Sequence, residues 1–397
     1  MKILFFTDSY LPSVNGIAMY IAEMSKQLAA NGHEIFIFAP KAGSDEPIPL
    51  EHEHIKVHYL PSIPSHFYPD FRIATPVSIS ILAEVYDINP DIIHFHTQVS
   101  VGAQAIFLAK MLRKPLVATF HGYFWEPEYL KTFGLHKIKM DKSETIINLG
   151  WKYNNFFLKQ ADIVISPSER SKQDLIEHNF KKRVKVISNG INLSLYTAPK
   201  TEKMNLPKKY FLYIGRVSSE KSLDVLINAF LEFSKTNTEV DLVVVGDGPA
   251  KKQIAEQIQN SGQQNRIHML GMIPHETLIH SNIFPDALAF VTTSKSESQP
   301  VSILEALASK LPIIGVNERG IPEMIGKNGI LCQPDNYLEF AEALKTIAEN
   351  PTLRKKMAQH SFEQAKKHSL EYSSHKLQDL YGQLIHRKQK KTPDIFD

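Results

Sequence analysis

The chain has 397 residues, of which 43% are hydrophobic and 22% charged; this excludes a disordered polymer and suits two ordinary domains better than one. A formal charge of +3 is too small to argue for nucleic acid as a partner. The single cysteine, Cys332, cannot form an internal disulfide, so a reducing compartment is expected.

The N-terminus reads as a buried strand. Lys2 is followed by Ile3, Leu4, Phe5 and Phe6 before Thr7 and Asp8 interrupt, whereas a secretory leader needs roughly seven or more apolar residues in a row. No apolar run approaches the ~20 residues that span a bilayer. The expected location is cytoplasmic, in solution or peripheral on the inner face of the membrane.

A loop with Pro12, Asn15 and Gly16 follows, then an amphipathic helix over 17–31 that Gly32 ends, then a strand over 34–39. The order recurs. Strands at 91–96 and 115–120 flank a helical stretch at 103–112, and a strand at 162–166 precedes a helix from about Glu169. After a connector at 189–209, which carries Pro199 and Pro207, a second series begins. Its strands are expected at 210–215, 241–245, 287–292 and 312–316, with helices at 222–234 and 301–308. The tail after Ser369 reads as helical and ends in the basic run Arg387, Lys388, Lys390 and Lys391. Strands alternating with helices predict two Rossmann-like α/β domains with doubly wound parallel sheets, at 1–192 and 193–370. The helix in 371–397 is expected to return to the first domain. Such sheets bind ligands beyond the carboxyl ends of their strands, so two of them facing a central cleft would converge on one substrate.

Four segments carry candidate chemistry, and each follows a strand. The first runs from Thr293 to Ala306 and holds Glu297 and Glu305. It crosses a polar loop and enters a helix near Pro300, where proline costs nothing because its missing N–H has no helical partner. The helix start then offers free amides and a positive dipole end to an anion. Glu297 can reach a sugar and Glu305 a ribose, with phosphates between. The same pair also reads as a dipole-balancing acid plus an exposed helix glutamate. The second segment is Gly215 to Lys221: Arg216 and Lys221 can clamp a diphosphate without a metal, or be two solvated cations. The third is the loop to Gly16, which lets a phosphate or acceptor approach the backbone. The fourth is Phe120, His121 and Gly122, where His121 is placed to face a ligand; a lone histidine there is equally a packed structural residue. His94 and His96 are expected to pack or to support. No Asp-x-Asp occurs in the chain, and no His/Cys cluster has zinc spacing.

Together these segments resemble glycosyltransferase family 4, the retaining family with the GT-B fold. The resemblance extends to Asn189-Gly190-Ile191-Asn192, to Val245-Gly246-Asp247-Gly248-Pro249 and to Gly320-Ile321-Pro322-Glu323. It implies that Arg216 and Lys221 hold the donor diphosphate and that Glu305 binds the ribose. Glu297 would contact the transferred sugar, with His121 beside its reacting carbon. Gly16, Ser298, Gln299, Pro300 and Val301 would complete the donor site, and Asn15 and Tyr123 would meet the acceptor. The implied reaction moves a hexose from a nucleotide-diphosphate sugar, UDP-glucose favoured, to an acceptor hydroxyl, with no metal and no cofactor. Two positions depart from the pattern: Gln299-Pro300 stands where Phe-Gly or similar is usual, and Arg319-Gly320 replaces a glycine pair.

Charge is unevenly spread. Residues 1–100 carry five Lys/Arg against eleven Asp/Glu, and residues 101–185 carry fifteen against eight. The basic stretch interleaves Tyr123, Phe124, Trp125, Tyr129, Phe133, Trp151, Tyr153, Phe156 and Phe157, a mixture suited to an anionic membrane surface, or to a helix packed on the sheet with its lysines reaching outward. The run from Phe120 to Lys131 resembles bacterial diacylglycerol glucosyltransferases, which points to a glycerolipid acceptor. The rival readings are a hexosyltransferase of polysaccharide or lipopolysaccharide assembly and a non-catalytic sugar-nucleotide-binding partner subunit. A nicotinamide oxidoreductase is disfavoured, because no G-x-G-x-x-G follows the first strand of either domain.

Overall fold

The computed structural model describes residues 1–12, 15–41, 52–64, 72–75, 79–123, 125 and 143–390. The chain divides into two compact units. The first comprises Met1–His121, Asn148–Gly190 and Leu370–Asp397; the second comprises Gly122–Ile147 and Ile191–Ser369.

In chain order the first unit contains strands β1 (Lys2–Phe6), β2 (Glu34–Pro40), β3 (Ile55–Leu60), β4 (Ser62–Pro64), β5 (Arg72–Ala74), β6 (Ile92–Phe95), β7 (Leu116–Thr119), β8 (Ile163–Ser166) and β9 (Val184–Val186). Helices α1 (Gly16–Ala30), α2 (Ile79–Ile88), α3 (Ser100–Met111), α4 (Glu144–Leu158, of this unit from Asn148) and α5 (Glu169–Glu177) connect them. Seven strands form one parallel sheet in the order β3-β2-β1-β6-β7-β8-β9, and β4 and β5 make a small antiparallel pair. The central strands are buried along their length, which is why they read as unbroken apolar runs rather than alternating ones.

The second unit contains α6 (Leu193–Thr197), β10 (Tyr210–Ile214), α7 (Leu223–Ser234), β11 (Asp241–Val245), α8 (Lys251–Ser261), β12 (Ile267–Gly271), α9 (His275–His280), β13 (Ala289–Thr292), α10 (Val301–Ala308), β14 (Ile313–Val316), β15 (Gly329–Cys332), α11 (Tyr337–Glu349) and α12 (Pro351–Lys367). Its six parallel strands run β12-β11-β10-β13-β14-β15. Both orders reverse once, between β1 and β6 and between β10 and β13. At such a reversal the loops leaving the two adjacent strands diverge and open a crevice for a ligand.

The last helix, α13 (Leu370–Gln389), buries Leu370, Leu377, Leu380 and Tyr381 in the same core as Ile21, Met24 and Leu28 of α1. The helix expected at 103–112 begins earlier, at Ser100, because Asp8 receives the amide of Val101 and so organises the first turn. Within the connector at 189–209 the five-residue α6 forms, its first turn capped by the Asn192 side chain accepting from the Ser194 amide. Among the described residues no helix is long and apolar enough to cross a membrane.

Candidate active site

The strand reversal of the second unit carries the two segments singled out by sequence. Residues 215–221 leave β10, and residues 293–300 leave β13. The Tyr213 hydroxyl donates to the Arg216 carbonyl at 2.9 Å and so fixes the start of the first loop. A 3-10 turn over Ser219–Lys221 follows, and Ser222 takes a left-handed conformation with φ 49°. Thr293 Oγ1 donates to the carbonyls of Lys221 at 3.1 Å and Ser222 at 2.8 Å. Ser294 Oγ donates to the Glu220 carbonyl at 3.3 Å. The two loops are therefore stitched together through backbone acceptors. The Lys221 ammonium bonds the Glu297 carboxylate, and Ser294 Oγ donates to the same oxygen at 3.1 Å. Two residues 76 positions apart thus form one charged unit.

The second loop is packed from behind. A Cβ added to Gly320 would lie 1.8 Å from the Ser298 carbonyl oxygen, and the Gly320 amide donates to the Glu297 carbonyl at 3.0 Å. Only glycine allows this approach. Arg319, the departure from a glycine pair, holds a left-handed φ of 53°. Its guanidinium lies 4.8 Å from the centre of the Tyr123 ring, a cation–π distance. The first loop is backed likewise by Gly246, whose added Cβ would meet the Gly215 carbonyl oxygen at 1.9 Å. Pro300 stands just before α10 with φ −68° and ψ 125°, so it replaces the flexible position without distorting the helix entry. The first-turn amides of α10 point out of the helix end. Ser296 and Ser298 are buried, and their hydroxyls have no hydrogen-bond partner among the described residues. Buried hydroxyls are ordinarily satisfied, so these two are free to meet a ligand. Gln299 is also buried.

Glu305 is 5% exposed, which overturns its alternative reading as a solvated helix glutamate. Its Oε1 accepts from the Tyr196 hydroxyl at 2.9 Å and meets His275 Nε2 at 2.7 Å. Neither Tyr196 nor His275 was expected from sequence. The signal available was position: His275 opens the helix that follows β12, at the carboxyl end of a strand.

In the first unit His121 follows β7. Its Nε2 lies 3.1 Å from His96 Nδ1, and its ring lies 5.2 Å from that of Tyr20. The His94 ring lies 4.1 Å from that of His96, tilted by 35°, and His94 bonds the Tyr381 hydroxyl at 2.6 Å and Thr119 Oγ1 at 2.7 Å. Burial pushes His121 down to about 3 and holds His94 and His96 well below the ordinary histidine range, with mutual repulsion among the three adding to the effect on His94 and His96. His121 is therefore a neutral imidazole at physiological pH. Asp8, which sequence did not single out, is buried at the strand reversal. It accepts from Thr97 Oγ1 at 2.6 Å, Ser100 Oγ at 2.5 Å and the Val101 amide at 3.2 Å. Desolvation raises its pKa against these bonds. Gly16 opens α1, and Asn15 caps it, accepting from the amides of Ile17 and Ala18. Tyr123 is fully buried beneath Arg319. The side chains of Asn15 and Tyr123 are thus employed within the protein. A surface cavity of about 490 Å³ lies elsewhere in the first unit, between α5, β9 and α13, and contains none of these residues. Among the described residues no group of three or more His, Cys, Asp or Glu is arranged to hold a metal ion.

Residues 14–195 match the family model "Glycosyltransferase Family 4", and residues 197–364 match "Glycosyl transferases group 1". An alpha-monoglucosyldiacylglycerol synthase from Streptococcus pneumoniae is 31% identical over 79% of this chain and 70% of its own length. The chain belongs to glycosyltransferase family 4. A second alpha-monoglucosyldiacylglycerol synthase, from Acholeplasma laidlawii, is 26% identical over 98% of this chain and 99% of its own length. Anabaena HepE, solved in complex with UDP-glucose, superposes with a TM-score of 0.73 at 20% identity, covering 96% of this chain and all of that one. The two parallel-sheet α/β units are those of the GT-B fold, and this family 4 member is a glycosyltransferase that uses a nucleotide sugar, related to the glucosyldiacylglycerol synthases.

Proposed function

We propose that this enzyme transfers glucose from UDP-glucose to the hydroxyl of a membrane glycerolipid, with retention of configuration and without a metal. The observation that carries the donor assignment is the Lys221–Glu297 pair beside the unpartnered hydroxyls of Ser296 and Ser298, at the entrance to α10. Arg216, Lys221 and the amide end of α10 supply positive charge where a diphosphate departs, the role for which preorganised donors are most effective. Gln299, Pro300 and Val301 shape that entrance, and Gly16 keeps the start of α1 open. Glu297 contacts the sugar and Glu305 the ribose. The bond from the anomeric carbon to the β-phosphate oxygen breaks while the acceptor oxygen bonds that carbon on the same face. The acceptor proton passes to the departing phosphate oxygen. His121, neutral and held by His96, is assigned to this transfer step.

The glycerolipid acceptor rests on the two relatives named above and on one surface of the first unit. Helices α3 and α4 are tied at their ends by the Tyr153 hydroxyl on the Gln98 carbonyl at 2.7 Å and by Lys110 on Gln160 at 2.7 Å. Trp151 and Phe157 are buried, while Phe107, Met111, Leu149, Tyr153 and Phe156 are exposed. Lys110, Arg113, Lys152 and Lys159 stand exposed among them. Apolar side chains bordered by cations fit an anionic bilayer surface, which supports a peripheral position on the inner membrane face. Phe124, Tyr129, Phe133 and Lys391 lie outside the described residues.

Purified enzyme, UDP-glucose and diacylglycerol in mixed micelles containing anionic lipid are expected to give an α-glucosyl lipid in the presence of chelator, with the anomer read by proton NMR. A β-linked product, or activity that vanishes in chelator and returns with magnesium or manganese, would contradict the mechanism. Transfer to a glycan with none to lipid would move the enzyme to polysaccharide assembly.

A further inference from the structure

We infer that His275 and Tyr196 are positioning residues that set the ribose specificity of the donor site by holding Glu305. The inference rests on the assignment of Glu305 to the ribose. Three side chains from distant parts of the second unit converge: Tyr196 from α6, His275 from α9 and Glu305 from α10. The Tyr196 hydroxyl and His275 Nε2 both reach Glu305 Oε1, at 2.9 and 2.7 Å, and lie 3.3 Å from each other. The carboxylate is 5% exposed, so its charge has been withdrawn from water and needs donors.

Both donors fall on one oxygen. A carboxylate accepts along two lone pairs on each oxygen, and two donors at these distances fill Oε1. The plane of the carboxylate is then fixed, and Oε2 is the atom presented to a ribose hydroxyl. A glutamate side chain has three rotatable bonds, and ordering it costs free energy. When the protein orders it in advance, the ligand avoids that cost, which is the general route by which preorganisation raises affinity. His275 must carry its proton on Nε2 to donate. Tyr196 and His275 therefore act through Glu305 and do not touch the donor in this scheme.

The consequence is discrimination at the ribose. A site built to bond a hydroxyl rejects the analogue that lacks it, and this rejection should depend on how firmly Glu305 is held. Calorimetric titration with UDP, GDP and their 2′-deoxy counterparts tests this on wild type, Glu305→Ala, His275→Ala, His275→Gln and Tyr196→Phe, after thermal melts confirm folding. The nucleotide that wild type binds supplies the comparison. Wild type should prefer the ribonucleotide by about tenfold, the worth of one good hydrogen bond. Glu305→Ala, which removes the group altogether, should abolish the preference. His275→Ala should reduce it to about threefold or less while the 2′-deoxy affinity changes less than about twofold. Tyr196→Phe should give an intermediate loss, and His275→Gln, which can still donate, should restore most of it. If Glu305→Ala removes the preference and neither His275→Ala nor Tyr196→Phe does, the positioning role fails while the ribose assignment stands. Equal weakening of ribo and deoxy ligands in these two variants also defeats it, because that is what a structural role gives. If Glu305→Ala keeps the preference, or no nucleotide binds, the ribose assignment itself fails.

Discussion

Lys221 and Glu297 are each about four-fifths buried, with side-chain exposures of 18% and 17%, and each is the other's charge partner. Removing one leaves the other poorly compensated, so the two should fail together. Lys221→Ala and Arg216→Ala are each expected to lower kcat/KM by about 30- to 1,000-fold, the usual loss for one preorganised contact to developing charge. Steady-state kinetics with UDP-glucose checks this, and variants within twofold of wild type would remove both cations from the donor site. The positions of these two residues just after strands were legible in the sequence, because strand ends of a doubly wound sheet are marked by the apolar runs that precede them. Tyr196 and His275 were not legible, since their meaning lies in a convergence on Glu305 across 109 and 30 residues. Asn15, expected at the acceptor, caps α1 with its carboxamide, a use that the pattern of Asn before an apolar-periodic run also encodes.

At the level of elements, the candidate site depends on loops supported from behind by glycines. Gly320→Ala must push back the Ser298 carbonyl, so the loop that carries Glu297 shifts while the sheet remains. A fall of about tenfold or more in kcat/KM with retained secondary structure is expected, because small misplacements of catalytic groups are costly. Gly382→Ala is the control. It lies in α13 with nothing within 4 Å of the added methyl, and should leave activity unchanged while stabilising by up to about 1 kcal/mol. Equal effects from the two substitutions, read by activity and thermal melting, would show that the Gly320 contact is unimportant. The glycines of Val245-Gly246-Asp247-Gly248 and Gly320-Ile321-Pro322-Glu323 were visible as motifs. Which carbonyl each approaches was not, because close approach is a property of the packed backbone.

Across the whole molecule, the two parallel-sheet α/β units followed from apolar runs alternating with amphipathic stretches, whereas the strand orders and the outer strands β3, β9, β12 and β15 did not. The antiparallel pair β4-β5 and the histidine cluster of the first unit did not follow, because short edge strands and buried rings carry no periodic signal. That cluster has a global consequence. His94, His96 and His121 titrate below their unfolded value near 6.5, so the unfolded chain binds more protons as pH falls through that value. The stability they confer is complete above about pH 6.5 and is lost progressively below it, by up to about 1 kcal/mol per histidine per pH unit. Asp8, whose pKa burial raises, acts in the opposite sense from the ordinary carboxylate range up to its own folded pKa. Urea unfolding at pH 7.5 and pH 5.5 should show a clearly lower midpoint at pH 5.5; equal midpoints would mean the histidines are solvated. The central claim, that the β10–β13 reversal of the second unit holds the donor, is tested most directly by a crystal structure with UDP. The pyrophosphate is predicted to lie against Arg216, Lys221 and the start of α10, with the ribose on Glu305. Nucleotide density over the β1–β6 reversal of the first unit, with the β10–β13 loops empty, would contradict it.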